Sequence, residues 1–176
     1  MTPPLNVLFL CTGNSARSIL GEALLRHEAA ARGLPVGSFS AGSHPTGRVN
    51  PLALQVLERL EVPTEGLASK AWDVYASPDA PTMHLVITVC DAAAGEACPL
   101  WPGTPAKAHW GLPDPAGVEG DASHREQAFV ATAQALQRRL DRLLDALAAA
   151  GSPTPGMLAD IAATAHTAEP TSGQRS

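Results

Sequence analysis

Continuous apolar runs alternate along the chain with segments in which apolar residues recur every three or four positions. The run Val7 to Leu10 is bounded by turn residues, as in a parallel strand buried on both faces. From about Ser18 to Arg32 the apolar positions follow a helical period, and Gly33 stands where a left-handed residue ends a helix. The pattern therefore predicts a strand and then a helix at the start of the chain.

The same alternation continues through the middle of the chain. A short strand is predicted from Val36 to Ala41. Asn50 and Pro51 have the character of an N-cap and a first helical residue, and the helix they open is predicted to extend to about residue 60. Its expected buried face consists of three leucines, Leu54, Leu57 and Leu60.

A third strand and a long helix are predicted in the second half. The strand covers Leu85 to Val89, with Cys90 at its carboxyl end, and a Pro- and Gly-rich loop is expected from Pro99 to Gly120. Asp121 is the predicted N-cap of the long helix, which ends at Gly151. Its expected inward face is formed by Phe129, Ala133, Leu136, Leu140, Leu143, Leu144 and Leu147.

Strands separated by helices, without hairpin signals, indicate an α/β fold with an open, mostly parallel sheet and helices on both faces. In such sheets the ligand site lies off the carboxyl ends of the strands, where Cys11 and Cys90 both fall. We expect one domain over residues 1–150. Residues 151–176 are rich in Pro, Ser, Thr, Gly and Ala and are predicted to be a mobile tail. At most one weak helical turn is indicated there, by Met157, Leu158 and Ile161.

Composition narrows the class of partner. The 176 residues carry a formal net charge of −5 without a long run of Lys and Arg, which argues against nucleic acid or an anionic membrane and favours a small diffusible substrate. The longest apolar stretch, Leu5 to Cys11, is too short to span a bilayer, and the first residues lack the basic region of a signal peptide. We therefore expect a cytoplasmic protein, in which cysteines are more often catalytic, redox-active or simply buried than structural bridges.

The segment after the first strand has the composition of an oxyanion cradle. Cys11 and Arg17 are separated by five small residues, and between a strand and a helix these residues can direct successive N–H groups at one point on the helix axis. Gly13 is expected to take a positive φ, Asn14 tolerates that region and can bond across the loop, and Arg17 offers two parallel donors to a tetrahedral oxyanion. The predicted oxyanion-binding residues are Thr12, Gly13, Asn14, Ser15, Ala16, Arg17 and Ser18.

Cys11 is the candidate nucleophile of this cradle. The helix N-terminus, the arginine and the hydroxyl groups of Ser15 and Ser18 all favour a thiolate. The segment resembles the loop of the low-molecular-weight protein tyrosine phosphatase superfamily, with Cys11, Asn14, Arg17 and Ser18 matching residue by residue. The resemblance implies a four-stranded version of the predicted sheet. It also implies that Asp114, in an Asp-Pro pair, is the general acid that protonates the departing oxygen.

The loop alone does not distinguish hydrolysis of a phosphate ester from reduction of an oxyanion, because both begin with thiolate attack on a tetrahedral centre. Two further motifs favour reduction. T-V-C-D-A-A-A-G-E-A-C-P contains Cys90 and Cys98, and H-W-G-L-P-D-P-A contains Asp114. Together with the loop they are similar to the arsenate reductases of this superfamily, over about residues 5 to 149. Reduction of arsenate takes two electrons, which one thiolate cannot supply without a second thiol.

The resemblance implies a disulfide relay. Cys11 attacks arsenate, Asp114 assists departure of hydroxide, Cys90 displaces arsenite to form Cys11–Cys90, and Cys98 takes over to form Cys90–Cys98. No cofactor is expected to be bound. The external reductant implied is thioredoxin, or alternatively glutathione with glutaredoxin, and phosphate or sulfate is expected to occupy the same cradle as arsenate.

Two other functions stay open. One is a phosphatase acting on phosphotyrosine or small phosphoesters, although the chain has one tyrosine and three phenylalanines from which to build an aromatic substrate rim. The other is an oxyanion-binding or redox-sensing module without catalysis.

The six histidines show no zinc spacing, so no metal site is predicted. Asn14, Glu22 and Ser40 correspond to positions that help to bind potassium in some related reductases, but further ligands are not evident around residues 69–71.

Overall fold

A four-stranded parallel sheet forms the centre of the protein in a computed structural model that describes residues 4–90 and 105–167. The strands are β1 (Leu5–Cys11), β2 (Val36–Gly42), β3 (Leu85–Thr88) and β4 (Ala106–His109). Their order across the sheet is β2-β1-β3-β4, and all three pairings are parallel. The three predicted strands, β1 to β3, are confirmed. The central β1 is fully buried from Val7 to Leu10, as its unbroken apolar run requires.

Strand β4 lies inside the segment that we predicted to be a loop, and that part of the prediction is wrong. Its sequence, AKAH, has no β-branched or large apolar residue, and both Lys107 and His109 are exposed. The strand forms because it pairs with β3 from Leu85 opposite Ala106 to Thr88 opposite His109. Pairing with an existing strand outweighs the weak local preference of such a short edge strand.

Four α-helices accompany the sheet: α1 (Arg17–Ala31), α2 (Pro51–Arg59), α3 (Ala122–Ala150) and α4 (Pro155–Thr167). The predicted caps of two of them are confirmed. The Asn50 side chain accepts a hydrogen bond from Leu52 N at 2.9 Å, and the Asp121 carboxylate accepts one from His124 N at 2.8 Å. All seven residues predicted for the inward face of α3 are buried.

The buried face of α2 differs from the prediction. Ala53, Val56 and Leu57 are buried, whereas Leu60 is 38% exposed and lies just beyond the end of the helix. The buried face of the helix is the one that carries Ala53, Val56 and Leu57, and the three predicted leucines share it only in part. Leu57 is the one predicted member that the core contains.

Helix α4 occupies half of the segment after residue 150 that we predicted to be a mobile tail. It spans Pro155–Thr167, and Leu158, Ala162 and Ala165 are buried in the same core as the sheet. The fully buried Trp110 donates a hydrogen bond from Nε1 to the carbonyl oxygen of Ala162 at 2.9 Å. The few apolar residues of this segment thus join the core, and the indole of Trp110, just after β4, holds the helix by a hydrogen bond to its backbone.

Helical segments cover both faces of the sheet. Helices α1 to α4 share one core with the face of β1 that carries Val7 and Phe9. The opposite face, with Leu8 and Leu10, packs against residues that include Tyr75, in the 3-10 helix Trp72–Ala76. Among residues 4–90 and 105–167, no helix combines the length and apolar character needed to cross a membrane.

Candidate active site

The candidate site lies where β1 and β3 end. Cys11 is the last residue of β1, and the five residues after it connect directly to Arg17, the first residue of α1. Cys90 follows β3, the neighbour of β1. Both thiols are largely buried, with exposed fractions of 4% and 3%. The sheet therefore brings to one edge the two described cysteines that the sequence placed at strand ends.

The loop curls over the sulfur of Cys11. The main-chain N–H of Asn14 donates to Cys11 Sγ at 3.2 Å, and Ser18 Oγ lies 2.9 Å from the same sulfur. The side-chain amide of Asn14 donates to Ser18 Oγ at 2.8 Å. Because a thiolate carries no proton, Ser18 must turn its hydroxyl hydrogen toward the sulfur when Cys11 is ionised. Two donors then stabilise the nucleophilic form.

The sharpest turn of the loop occurs one residue later than we expected. Asn14 has φ 46°, whereas Gly13 does not adopt a positive φ. Asparagine tolerates this region better than most side chains, and here its amide is also fully buried and bonded. The prediction for Gly13 is therefore wrong, and the tolerance ascribed to Asn14 is the property that the loop uses.

Three carbonyl groups of the loop accept hydrogen bonds from a neighbouring segment and do not point to the centre of the loop. The carbonyl oxygens of Thr12, Gly13 and Ser15 accept hydrogen bonds from main-chain N–H groups of residues 44, 46 and 50, at 2.9, 3.0 and 2.9 Å. In a trans peptide the N–H points away from the C=O, so these bonds turn the N–H groups of residues 13, 14 and 16 to the other side of the loop. There the N–H of Asn14 meets the sulfur of Cys11, and an anion would be favoured by N–H groups and by the N-terminus of α1.

Gly42 allows the close approach between β2 and this loop. A Cβ atom at this position would lie 2.4 Å from the carbonyl oxygen of Thr12 and 3.0 Å from the Cβ of Asn14. Any larger residue would displace the loop backbone, because real Cβ atoms do not approach so closely. The carboxyl end of β2 therefore helps to fix the cradle.

Arg17 connects the cradle to Asp114. Its Nη1 donates to the carbonyl oxygen of Leu112 at 2.8 Å, and its Nη2 lies 4.0 Å from Asp114 Oδ1. The Asp114 side chain is 52% exposed and caps the short 3-10 helix Pro115–Gly117 by accepting from Ala116 N at 2.9 Å. A carboxyl group held beside the arginine of the loop is well placed to exchange a proton with an oxyanion bound there.

The thiol of Cys90 lies against the loop. Cys90 Sγ is 3.6 Å from the hydroxyl oxygen of Thr12, the residue that follows the nucleophile. Cys11 is the last residue of β1, and Cys90 lies two residues beyond the end of β3, the parallel neighbour of β1. The two thiols therefore lie at the same edge of the sheet. Cys98, the third predicted thiol, lies outside the described residues.

A buried polar cluster beneath the loop was only partly predicted. The amide of Asn14 also donates to Ser40 Oγ at 3.0 Å, and Ser40 donates to the carboxylate of Glu22. The main-chain N–H of Lys70 donates to Asn14 Oδ1 at 2.8 Å, and its ammonium lies 3.9 Å from Glu22 Oε1. A charged Glu22 on the buried side of α1 was a signal in the sequence, but nothing local indicated Lys70.

Two ionisable groups near this cluster are perturbed. Burial lowers the pKa of Lys70, an effect that the Glu22 carboxylate opposes and the Arg26 guanidinium reinforces. Burial also raises the pKa of Tyr75 to about 12, with the negative charge of Glu22 adding to the shift.

Among the described residues, no group of three or more His, Cys, Asp and Glu side chains is arranged to hold a metal ion.

A parallel sheet with a Cys-x5-Arg loop between its first strand and first helix, and an Asp-Pro beside the arginine, is the arrangement of a low-molecular-weight phosphatase fold. Comparison with known proteins agrees with this class. The sequence profile of the low molecular weight phosphotyrosine protein phosphatases matches residues 6–152. The chain belongs to this family.

Several relatives within reach of sequence comparison are arsenate reductases. The arsenate reductase of Staphylococcus xylosus is 34% identical over 113 residues, covering 64% of this chain and 80% of its own. That of Shouchella clausii is 32% identical over 123 residues, covering 70% and 83%.

Solved structures agree on the fold. A thioredoxin-dependent arsenate reductase of Corynebacterium glutamicum superposes with a TM-score of 0.62 at 27% identity, covering 85% of this chain and 64% of that one. A low molecular weight protein tyrosine phosphatase from T. tengcongensis superposes with a TM-score of 0.65 at 20% identity, which shows the shared fold alone.

Proposed function

We propose that the protein reduces arsenate to arsenite by a thiol relay that begins at Cys11 and continues through Cys90 and Cys98. The observation that carries the proposal is the second buried thiol beside the nucleophile loop, with Cys90 Sγ 3.6 Å from Thr12 Oγ1. Hydrolysis of a phosphate ester needs one thiol, whereas a two-electron reduction needs a second. The similarity to named arsenate reductases supports the same choice.

In the first step the Cys11 thiolate attacks arsenic(V), a sulfur–arsenic bond forms, and a hydroxyl group of arsenate takes a proton from Asp114 and leaves as water. Arg17 and the N–H groups of the loop hold the remaining oxygens and stabilise their charge. The proximity of Asp114 to Arg17, at 4.0 Å between Oδ1 and Nη2, supports this assignment of the acid.

In the second step the Cys90 thiolate attacks the Cys11 sulfur. The electron pair of the sulfur–arsenic bond passes to arsenic, which leaves as arsenite, and a Cys11–Cys90 disulfide remains. Cys98 then attacks Cys90, which frees Cys11 as a thiolate and leaves a Cys90–Cys98 disulfide. Two electrons from an external dithiol return this disulfide to two thiols.

We propose thioredoxin as that external dithiol, because a relay through Cys90 and Cys98 delivers its oxidising equivalents as a protein disulfide. The thioredoxin dependence of the Corynebacterium glutamicum relative supports this choice, and glutathione with glutaredoxin is the alternative. A cycle that ends on such a reductant belongs in the reducing cytoplasm.

A single-turnover measurement tests the relay. The reduced protein, mixed with arsenate without added thiol, is expected to form about one equivalent of arsenite and then stop, as a two-electron relay requires. Cys11→Ser should form none. Mass mapping should find Cys11–Cys90 in the Cys98→Ser protein and Cys90–Cys98 in the wild type. Repeated turnover by a Cys90→Ser, Cys98→Ser protein without added thiol would contradict the proposal.

Phosphatase activity is the second candidate, favoured by the Cys11 to Arg17 loop and the family profile. The same cradle should bind phosphate and sulfate, and slow hydrolysis of an aryl phosphate is expected from it. Robust aryl phosphate hydrolysis by a protein that forms no arsenite would favour this function. Oxyanion binding without either reaction would leave a binding or redox-sensing module.

A further inference from the structure

Glu22 is a buried carboxylate that faces two cations. It lies on α1, one turn beyond the cradle, and is 3% exposed. One oxygen, Oε2, pairs with the Arg26 guanidinium at 2.5 Å. The other, Oε1, accepts the hydroxyl hydrogen of Ser40 and lies 3.9 Å from the ammonium of Lys70. Two positive side chains thus surround a single negative one.

Lys70 contacts this cluster through both of its nitrogen atoms. Its main-chain N–H donates to Asn14 Oδ1 at 2.8 Å, and its ammonium donates to the carbonyl oxygen of Ala68 at 2.8 Å. Its side chain is 23% exposed. From Glu22 a continuous line of hydrogen bonds passes through Ser40, Asn14 and Ser18 to the sulfur of Cys11.

The cluster does not fit the potassium ion that the resemblance to some reductases implies at Asn14, Glu22 and Ser40. An alkali cation needs several oxygen ligands around one point. Here the ammonium of Lys70 already lies among such oxygens, 2.8 Å from the carbonyl oxygen of Ala68 and 3.9 Å from Glu22 Oε1. A further positive charge would also meet two cations against one carboxylate.

We propose that the ammonium of Lys70 is a built-in cation of the cradle, a positioning group that balances Glu22 and makes the protein independent of alkali metal ions. Lys70 acts through Glu22, Ser40 and Asn14, which orient Ser18 toward the thiolate. Its covalent attachment fixes the charge at this position, whereas a dissociable ion would leave at low concentration.

The test compares potassium chloride with choline chloride at equal ionic strength, since choline is too large to enter the cluster. The variant is Lys70→Met, which keeps an unbranched side chain one atom shorter than lysine and removes its charge. Lys107→Met is the matched control, because Lys107 is the other lysine of the chain and is exposed on β4. Two readouts are used: kcat/KM for arsenate, which rests on the proposed function, and the rate of Cys11 alkylation by iodoacetamide, which does not.

Wild type and Lys107→Met are expected to give the same values in both salts. Lys70→Met in choline chloride is expected to lose roughly tenfold in kcat/KM, a loss typical of residues that orient a functional group through hydrogen bonds. Its Cys11 should also be alkylated more slowly. Potassium chloride should restore part of both losses, because removal of the ammonium frees Ala68 O for a cation and takes away one of the two positive charges that face Glu22. Lys70→Arg should keep most of the activity.

Three results would overturn the assignment: specific activation of the wild type by potassium, wild-type behaviour of Lys70→Met in both salts, or equal impairment of Lys70→Met in both. Circular dichroism and a melting curve in each salt establish that the variant is folded. Should Lys70→Met fail to fold, the salt response of the wild type and of Lys70→Arg decides. A protein that forms no arsenite but shows the alkylation pattern would separate failure of the proposed function from failure of this inference.

Discussion

Asn14 makes three side-chain hydrogen bonds inside the cradle, and its replacement by alanine should destabilise the whole protein. The amide is fully buried; it donates to Ser18 and Ser40 and accepts from the main-chain N–H of Lys70. Each buried hydrogen bond contributes about 1 kcal/mol net, so loss of three costs about 3 kcal/mol. Alanine at φ 46° adds about 1 kcal/mol of backbone strain. The expected loss in the free energy of unfolding is therefore about 4 kcal/mol.

Asn14→Gly separates the two contributions. Glycine loses the same hydrogen bonds but accepts a positive φ without strain, so it should be about 1 kcal/mol less destabilising than alanine. Urea unfolding of the wild type and both variants measures the differences, with an unchanged m-value as the sign that the same surface is exposed. A loss below about 1 kcal/mol for Asn14→Ala would refute the reasoning, because three buried hydrogen bonds could not then be present.

Three further outcomes are expected. Leu158→Ala should lower the free energy of unfolding by about 3 kcal/mol, since Leu158 lies on α4 and is 3% exposed. Met157→Ala, at a position 43% exposed, should change it little, and equal effects of the two variants in urea unfolding would contradict the packing of α4. Arg17→Lys should reduce kcat for arsenate by about a hundredfold or more, because lysine cannot make parallel bonds to an oxyanion, and near-wild-type turnover would exclude the proposed role. Tyr75, the single tyrosine, should ionise only near pH 12 in an absorbance titration of the folded protein. Because this pKa is raised on folding, its contribution to stability is complete below the pKa of the unfolded chain, about 10, and is lost as the pH rises toward 12, so a normal titration of the folded protein would contradict its burial.

Several elements could be predicted because their signals are local. Strand β1 is a continuous apolar run, and α3 carries its inward face at helical spacing with a cap at Asp121. The cradle was predictable for the same reason, since its nucleophile, its arginine and its turn residue lie within one short segment. The positive φ at Asn14 in place of Gly13 could not be predicted, because the φ of each residue depends on the amide contacts that Asn14 makes with other parts of the fold.

Other elements depend on partners remote in sequence. Nothing in AKAH indicates a strand; β4 exists because its backbone completes the hydrogen bonds of β3. Helix α4 has few apolar residues, and it packs into the core beside Trp110, which donates a hydrogen bond to its backbone. The same holds for Lys70, which lies in an irregular segment and reaches Glu22 only when the chain has folded.

The sequence by itself determined the alternation of strands and helices, the oxyanion loop and the identity of its nucleophile, because backbone geometry and side-chain periodicity act over a few residues. Cys90 and Asp114 were expected near that loop, but only the tertiary structure decided that they meet it at Thr12 and at Arg17. It alone placed Lys70 beneath Asn14. The physical reason is that a parallel sheet gathers the carboxyl ends of strands far apart in the chain at one edge. Charges and thiols that are unrelated along the sequence become neighbours there.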